Sequence, residues 1–345
     1  MAAPSPVKEK SNPIAGLLKR LVTVKPREVK VTVGIDIGAS SVKAIALGPR
    51  KGSNSRPIIG QSIVALNSEQ ETDASEAVKS AFSKLQVSAR LVNLSVSGQW
   101  VIMRIIEMPI MKLAEMRQAL PFEAQRYLPF SIQDVVIDGV VLGSIDAHKM
   151  WVLIVACKKD LIERRLDWIK RAGLEASFID VDAVALCNAF LASMNGQQKE
   201  GTRSLVDVGA QLTNLVIFQG QTPYLVRDIP WGADKLIRNI AEQTGMEAAT
   251  LSKELNEGKA NPAIQSAMRL ATETLVTELQ LSFDYFENRF GQPPETIFVS
   301  GGLGQCAEFT EALKSHLTQT VSAWSPVRNL PARFTVAYGL ALRVD

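Results

Sequence analysis

The sequence predicts an α/β protein built from two copies of one core fold. A signature occurs twice, with its aspartates (Asp36 and Asp207) 171 residues apart: an apolar strand ending in the aspartate, a Gly-Ala turn and a second apolar strand. Further strands and then helical segments follow each copy, which is the order of an α/β unit. The chain has 345 residues, of which 46% are hydrophobic, so it suits two or three domains with a large core.

The first copy predicts four strands and one helix. The apolar periodicity places strands at Val29–Ile37, Val42–Leu47, Ile58–Leu66 and Leu91–Ser97, and a helix at Glu76–Leu85. The residues between the first two strands are all small, which permits a tight turn there.

A separate block lies between the two copies. Its patterns predict strands at Val101–Met108, Val135–Leu142, Met150–Ala156 and Phe178–Val181, and helices at Leu113–Leu128, Asp160–Ala172 and Ala183–Met194. Pro121 lies inside the first helical pattern, where it either kinks the helix or begins a second one. The polar stretch Asn195–Arg203 predicts a linker to the second copy.

The second copy predicts a longer series of elements. Strands are expected at Ser204–Val208, Leu215–Phe218, Gln221–Asp228 and Thr296–Ser300, and helices at Ala233–Gln243, Glu247–Glu257, Pro262–Phe290, Ala307–His316 and from Phe334 onward. A glycine turn, Gly301 to Gly304, joins the last strand to the helix after it.

The charge distribution separates a basic tail from a near-neutral body. The net charge is +3, but residues 1–30 alone carry +5, so the remainder carries −2. The body is therefore not a broad nucleic-acid-binding surface, and we expect no nucleic-acid partner. The tail shows no sustained period, so we expect residues 1–29 to be disordered, with weak contact to anionic lipid as the alternative.

Several other classes are excluded. No apolar run approaches the 18 or so residues of a membrane span. Lys19 and Arg20 interrupt the apolar stretch of the first 30 residues, so no secretory signal is predicted. The three cysteines form no CxxC pair, which indicates a reducing cytoplasm. The two histidines lie near no cysteine, so a zinc site is not expected.

The repeated turns have the chemistry of a phosphate clamp. Small residues let backbone N–H groups approach phosphate oxygens closely. Asp36 and Asp207, facing each other, can hold a hydrated Mg²⁺, and Lys43 can reach a terminal phosphate. One such turn is more often only a tight hairpin, but two at equivalent places and a third glycine turn favour a nucleotide site.

A competing dinucleotide fingerprint is rejected. Residues 302–307 fit G-x-G-x-x-A between a strand and a helix. No complete βαβ unit follows, and no acidic residue occurs between Glu311 and Asp345, where the fingerprint needs one.

These residues resemble the superfamily of actin, the heat-shock chaperones and the sugar kinases, and within it the PilM family of type IV pilus assembly, a relative of FtsA. The resemblance covers roughly residues 30–345. Five segments carry it: residues 33–43, 123–138 with Arg-Tyr-Leu-Pro-Phe, 207–233, 281–286 and 337–343. The Arg-Tyr-Leu-Pro-Phe segment is the part that distinguishes PilM from kinases and chaperones.

The resemblance implies an actin-like, ribonuclease H-like fold of two lobes with duplicated core domains and two inserted subdomains. The implied boundaries are a tail at 1–29, subdomain 1A at 30–103 and 176–200, subdomain 1C at 104–175, subdomain 2A at 201–230 and 293–345, and subdomain 2B at 231–292.

The resemblance also implies ATP with Mg²⁺ in the cleft between the lobes. Asp36 and Asp207 would flank the metal ion, and Asp182 would position a water molecule as the catalytic residue. The phosphates would be surrounded by Gly38, Ala39, Ser40, Ser41, Lys43, Gly209, Ala210, Gln211 and Thr213. The adenosine would lie against Gly301, Gly302 and Leu303.

Some positions depart from the family pattern. Lys253 and Asn256 stand where a glutamate and a lysine often contact the ribose, and Glu254 is one position out of register. Gln211 replaces a usually small residue, and Asp182 is one methylene shorter than the glutamate of related proteins. These changes favour nucleotide binding without rapid turnover, and slow ATP hydrolysis stays open.

The leading hypothesis is therefore an ATP-binding scaffold at the cytoplasmic face of the inner membrane. It would dock the N-terminal peptide of a PilN-like bitopic membrane protein, beside other pilus assembly platform proteins. Arg126, Tyr127, Pro129 and Phe130 are the candidate wall of the peptide groove; alternatively, Tyr127 and Phe130 are core residues. A sugar-kinase-like phosphotransferase and an FtsA-like filament-forming protein are the alternative functions.

Overall fold

The computed structural model describes residues 31–50, 56–66, 71–194, 200–257 and 262–344. In this part of the chain the strands form two five-stranded sheets and one three-stranded sheet. The first five-stranded sheet has the order β3-β2-β1-β4-β8. Its strands are β1 Thr32–Ile37, β2 Ser41–Leu47, β3 Ile58–Ala65, β4 Leu91–Val96 and β8 Glu175–Val181. We call this sheet and its helices lobe 1.

The second five-stranded sheet repeats the first, with the order β11-β10-β9-β12-β13. Its strands are β9 Thr202–Val208, β10 Thr213–Gln219, β11 Thr222–Ile229, β12 Thr296–Gly301 and β13 Thr320–Ala323. In the first sheet β1 pairs antiparallel with β2 and parallel with β4. In the second sheet β9 likewise pairs antiparallel with β10 and parallel with β12. The predicted duplicated α/β fold is therefore confirmed. We call this sheet and its helices lobe 2.

A small antiparallel sheet, β5-β7-β6, is inserted in the chain between β4 and β8. Its strands are β5 Val101–Pro109, β6 Val135–Ser144 and β7 Lys149–Lys158. One helix, α2 Leu113–Ala124, packs on this sheet through Met116 and Leu120, which are fully buried against Ile154 and its neighbours. We call β5, β6, β7 and α2 the inserted sheet.

The other helices pack on the two lobes. They are α1 Glu71–Ser83, α3 Lys159–Arg171, α4 Asp182–Ser193, α5 Ala233–Thr244, α6 Ala248–Glu257, α7 Pro262–Phe290, α8 Ala307–Lys314 and α9 Thr335–Leu342. Most of the core of lobe 2 lies between its sheet and the helices α5 to α8, around Trp231, Leu275 and Phe286. No helix in the described residues has the length and apolar character needed to cross a bilayer.

Helices α4 and α9 lie side by side between the two sheets. They touch at Gly339, where a Cβ atom would stand 1.9 Å from the carbonyl oxygen of Ala185. Strand β1 meets α9 in the same way, because a Cβ atom on Gly34 would stand 2.1 Å from the oxygen of Ala337. Both positions therefore need glycine because the backbones approach each other closely, and not because of an unusual φ.

The elements differ from the sequence-based expectation at several places; α1 begins at Glu71 instead of Glu76, and β8 begins at Glu175 instead of Phe178. Helix α2 ends at Ala124 instead of Leu128. Pro121, which cannot donate to the Arg117 oxygen, lies in its last turn, and only three helical residues follow it. Strand β9 begins at Thr202, inside the predicted linker, whose residues 195–199 lie outside the described residues. Strand β13 was not predicted, because its four residues alternate only weakly between buried and exposed.

Candidate functional site

Two hairpin turns of the same geometry follow Asp36 and Asp207, which lie close enough for the charge of Asp36 to raise the pKa of Asp207. In the first, the Gly38 N–H donates to the Ser41 oxygen at 3.1 Å; in the second, the Gly209 N–H donates to the Leu212 oxygen at 2.8 Å. Within the described residues, the main-chain N–H groups of Ala39, Ser40, Ala210 and Gln211 donate to no backbone oxygen. These amides are therefore available to an anionic ligand.

An ion pair occupies the end of the first strand. Asp36 pairs in register with Lys43 on β2, and the Lys43 Nζ lies 2.9 Å from Asp36 Oδ2. Both side chains are largely buried. A Cβ atom on Gly38 would stand 3.3 Å from that Nζ, so the glycine leaves the space in which the lysine lies.

Asp207 occupies the equivalent place in lobe 2 without an equivalent cation. Its register partner on β10 is Asn214 instead of a lysine. The side chain is buried, and its Oδ1 atom has no hydrogen-bond partner in the described structure. Burial, and next the negative charge of Asp36, raise the pKa of Asp207 to about 7. An orphaned buried carboxylate oxygen is a group that a cation or a bound water would satisfy.

Asp182 completes a group of three carboxylates. It is the first residue of α4, and its Oδ1 accepts a hydrogen bond from the Ser95 Oγ at 2.5 Å. Loss of solvation, and next the charge of Asp36, raise the pKa of Asp182 to about 7. The structure thus brings Asp36, Asp182 and Asp207 within electrostatic reach of one another. Ser95 was not predicted, because nothing in the local sequence signals a contact 87 residues away.

The second turn rests on the start of α5. Its carbonyl groups accept hydrogen bonds from the N–H groups of Ala233 and Asp234, both at 2.9 Å. Thr213 is fully buried, and its hydroxyl donates to the Trp231 oxygen at 2.7 Å. Thr213 therefore fixes the turn to the backbone of Trp231.

The third glycine turn lies against the second hairpin. Gly301 has a φ of +84°, and a Cβ atom there would stand 2.4 Å from the Val208 oxygen, so only glycine fits. The Gly302 N–H donates to the same oxygen at 2.8 Å. The Leu303 side chain is packed in the core of lobe 2, so this residue offers a ligand mainly its backbone.

One further contact joins lobe 2 to the loop before the inserted sheet, beside the second turn. Asp228 accepts a hydrogen bond from the Asn214 Nδ2 at 2.7 Å and another from the Gly98 N–H at 3.2 Å. Gly98 belongs to the loop that enters the inserted sheet, so Asp228 joins that loop to lobe 2. The 171-residue offset places Asn214 opposite Lys43, a signal that could have identified Asn214 from the sequence.

The four predicted partner-binding residues lie at the surface of the inserted sheet. Arg126 and Pro129 are exposed, Tyr127 is 40% exposed, and Phe130 is half-buried. Phe130 lies 6.2 Å from Trp100, centroid to centroid, and the Lys158 Nζ stands over both rings, at 4.4 Å from Trp100. A half-open aromatic surface with a cation beside it suits contact with another chain.

A dedicated protein-only metal cage is not found among the described residues, since no three His, Cys, Asp or Glu side chains are grouped to bind an ion. This arrangement is compatible with Mg²⁺, which binds through one or two carboxylates and keeps several waters. Asp36 and Asp207 are the two carboxylates that the sequence predicts for such an ion.

Two lobes of one repeated fold, each presenting an aspartate and a glycine turn to a shared cleft, define an actin-like protein. The model of the type IV pilus assembly protein PilM family matches residues 34–344, and the chain belongs to that family. The fold is similar to that of a solved PilM-PilN type IV pilus biogenesis complex, with a TM-score of 0.79 and 23% identity over 91% of this chain and 98% of the other.

More distant structures share the fold. The ethanolamine utilization protein EutJ from Carboxydothermus hydrogenoformans has a TM-score of 0.57 and 15% identity, over 96% of this chain and 98% of its own. A diol dehydratase-reactivating factor in nucleotide-free form has a TM-score of 0.53 and 9% identity, over 91% and 99%. At these identities the likeness concerns the fold alone.

Proposed function

We propose that this protein is an ATP-binding scaffold of type IV pilus assembly that docks the N-terminal peptide of a PilN-like inner-membrane protein. The observation that carries the nucleotide part is the pair of buried aspartates, Asp36 and Asp207, each beside a turn with free amides. Family membership and the solved PilM-PilN complex support the partner.

The residues of the cleft fit a nucleotide with Mg²⁺. The orphaned Oδ1 of Asp207 would bind the ion or one of its waters, and Asp36 would complete the pair. The amides of Ala39, Ser40, Ala210 and Gln211 would bind phosphate oxygens, and Mg²⁺ would neutralise phosphate charge. The backbone of Gly301, Gly302 and Leu303 would lie against the adenosine.

A scaffold role fits the cleft better than rapid turnover. Asp182 is one methylene shorter than the glutamate of related proteins, and its Oδ1 already accepts a hydrogen bond from the Ser95 Oγ, so it does not reach and position an attacking water well. Gln211 also places a long side chain at the second turn. We therefore expect ATP to be retained, with hydrolysis slow where it occurs.

The partner peptide is proposed to contact the aromatic surface of the inserted sheet. Tyr127 and Phe130 contribute apolar area there, and Arg126 contributes an exposed guanidinium whose ion pair with Glu123, at 3.6 Å, is weak. The protein would work at the cytoplasmic face of the inner membrane beside other platform proteins. Any lipid contact of the basic tail concerns residues 1–29, which lie outside the described residues.

The nucleotide part is tested by calorimetric titration of the purified protein with ATP, with and without Mg²⁺. An Asp36→Ala, Asp207→Ala double variant should lose the Mg²⁺-dependent affinity by at least about tenfold. Wild-type affinity in that variant would refute the site. Sugar phosphorylation well above background would refute the scaffold role.

The partner part is tested with a synthetic peptide of the PilN-like protein's N-terminal segment. An Arg126→Ala, Tyr127→Ala variant should bind it several-fold more weakly than wild type. Arg117→Ala is the matched control, because Arg117 is an exposed arginine on α2, the helix that precedes the proposed groove wall. Equal affinities of wild type and both variants would refute the assignment of Arg126 and Tyr127 to the wall of the peptide groove.

A further inference from the structure

Four strands of lobe 1 begin at the same end of their sheet, opposite the first glycine turn. Strand β1 pairs antiparallel with β2, and β2 pairs antiparallel with β3. Strand β4 runs parallel to β1, and β8 runs parallel to β4. The strands β1, β3, β4 and β8 therefore start where β2 finishes. Helices α1 and α3, which lead into β4 and β8, finish at this end as well.

Exposed basic side chains are concentrated at this end. They follow β2 or α1, close α3 or precede β4: Arg50, Lys84, Arg90, Lys170 and Arg171. Arg90 pairs with Glu175 at 3.2 Å. Arg171 pairs with Asp167 at 2.7 Å. These five basic and two acidic side chains leave a balance of +3, whereas residues 31–345 as a whole carry −2. We call these seven residues the basic end.

Two apolar side chains are exposed among these charges. Leu91, which follows Arg90 as the first residue of β4, is 56% exposed. Ile59, near the start of β3, is 47% exposed and lies against Gly48, two residues before Arg50. Apolar side chains beside cations suit the boundary between lipid headgroups and acyl chains, where the apolar groups insert and the cations contact anionic headgroups.

The chain enters lobe 1 at the basic end, and the sequence before that point has the same chemistry. Strand β1 begins at Thr32, and residues 1–30 carry +5. Apolar residues of this segment recur at helical spacing: Ile14, Leu17, Leu18, Leu21 and Val22. A helical arrangement would place them on one side and Lys19 and Arg20 on the other. A basic amphipathic pattern of this kind is typical of a segment that lies in a membrane surface.

The amphipathic segment and the basic end can contact one membrane together. Ten residues lead from Val22 to Thr32, so the connection spans at most about 36 Å. The membrane affinity of an amphipathic segment increases with its buried apolar area and with its attraction to anionic lipid. A basic surface held close to the segment therefore strengthens its binding.

We propose that the basic end of lobe 1 faces an anionic membrane surface, with the segment from Ile14 to Val22 inserted beside it. The first glycine turn lies at the other end of the sheet, so the proposed nucleotide cleft faces away from the bilayer. This inference goes beyond the proposed function, because it requires neither a nucleotide nor the partner protein.

Sedimentation with lipid vesicles tests the inference, using the full chain without nucleotide or partner. Wild type should bind vesicles of phosphatidylglycerol and phosphatidylcholine at least about tenfold more tightly than vesicles of phosphatidylcholine alone. Salt at about 0.5 M should remove most of this difference, because it screens the attraction between the cations and the headgroups.

Charge reversal tests the basic end. A Lys84→Glu, Lys170→Glu variant should bind the anionic vesicles at least about tenfold more weakly than wild type. Arg117→Glu, Arg269→Glu is the matched control, because it changes the net charge equally at exposed positions on α2 and α7. The control should bind within about twofold of wild type.

A second variant and a label separate the amphipathic segment from the basic end. Leu17→Asp, Leu21→Asp should also bind at least about tenfold more weakly, because it removes the apolar side. The three natural cysteines are buried, so Ser88→Cys provides an accessible thiol for a polarity-sensitive fluorophore at the basic end. Its emission should rise on anionic vesicles, whereas a label at Ser266→Cys, on α7, should not respond.

The outcomes decide the inference independently of the proposed function. Wild-type binding by Lys84→Glu, Lys170→Glu, or equal responses of the labels at positions 88 and 266, would overturn the membrane-facing orientation. Absence of wild-type binding to anionic vesicles would overturn the inference as a whole. Neither result affects the nucleotide site or the partner, which the ATP and peptide titrations test without lipid.

Discussion

At the scale of single residues, the cleft holds carboxylates under conditions that favour their protonated form. Asp207 and Asp182 are deprived of water and lie near the charge of Asp36, and only Asp36 has a lysine in contact. A fold selected for stability alone would not retain such charges. The arrangement has a purpose if a cation or a magnesium-bound nucleotide neutralises it.

Asp207→Asn is therefore expected to stabilise the ligand-free protein at alkaline pH. The ordinary pKa of 3.8 is raised to about 7 in the folded state, so between these values the folded protein binds a proton that the unfolded chain has released. Binding of this proton stabilises the folded state relative to the unfolded state, and the stabilisation is lost as the pH rises from about 4 to about 7. At pH 8 the variant should exceed wild type by on the order of 1–3 kcal/mol, and near pH 4 the difference should vanish.

Urea unfolding at pH 4.5 and pH 8 measures that difference, and ATP titration measures the accompanying loss of Mg²⁺-dependent affinity. Asp284→Asn on the exposed side of α7 is the control, since it removes a carboxylate that water already solvates. A stability difference that is the same at both pH values would contradict the assignment.

The residues that sequence reasoning reached and those it missed differ in the range of their contacts. Asp36, Asp207 and their turns repeat as a local pattern, so one sequence sufficed to place them on equivalent hairpins. Ser95 and Gly98 act through partners 87 and 130 residues away. No periodicity or spacing signals contacts of that range.

At the scale of elements, the fit of α9 between α4 and β1 depends on two glycines. Both contacts are below any distance that a Cβ atom tolerates, and both involve backbone, which cannot move aside. The helix itself was predictable from its apolar run. The packing of α9 against β1 and α4 could not be predicted, because these two elements lie at opposite ends of lobe 1 in the sequence.

Gly339→Ala should therefore destabilise the protein by about 2–4 kcal/mol, although alanine favours helix formation. Thermal unfolding of the purified variant measures this. Gly302→Ala is the control, because the nearest atom to its Cβ atom would be 3.6 Å away, an ordinary contact. Equal melting temperatures for Gly339→Ala and wild type would show that the helices separate without cost.

At the scale of the whole molecule, an ion pair of Arg289 with Glu107 of β5, at 4.0 Å, and two further contacts that involve β11 hold the inserted sheet and the loop before it against lobe 2. One is aromatic: Trp151 of β7 lies 5.6 Å from Phe290 and 6.3 Å from Tyr224, centroid to centroid, with the Arg289 guanidinium 4.8 Å from its ring. The other is the hydrogen bond from the Gly98 N–H to Asp228, beside the second hairpin turn. A cavity of about 570 Å³ between β5 and β11 borders both contacts, because Gly98, Tyr224, Asp228 and Arg289 line it, so opening either contact would change its width.

If the inserted sheet moves as one body, the two contacts should break together. Trp151→Ala alone should cost about 2 kcal/mol of unfolding free energy, and Asp228→Asn about 1 kcal/mol. The double variant should then cost less than the sum of the single variants by about 0.5 kcal/mol or more, because the first substitution already releases the interface.

Urea unfolding of wild type, the two single variants and the double variant gives this coupling energy, and hydrogen exchange at Gly98 should quicken in Trp151→Ala. Leu270→Ala, an exposed apolar position on α7, should add independently to Asp228→Asn. Strict additivity of Trp151→Ala with Asp228→Asn would mean that the two contacts open separately.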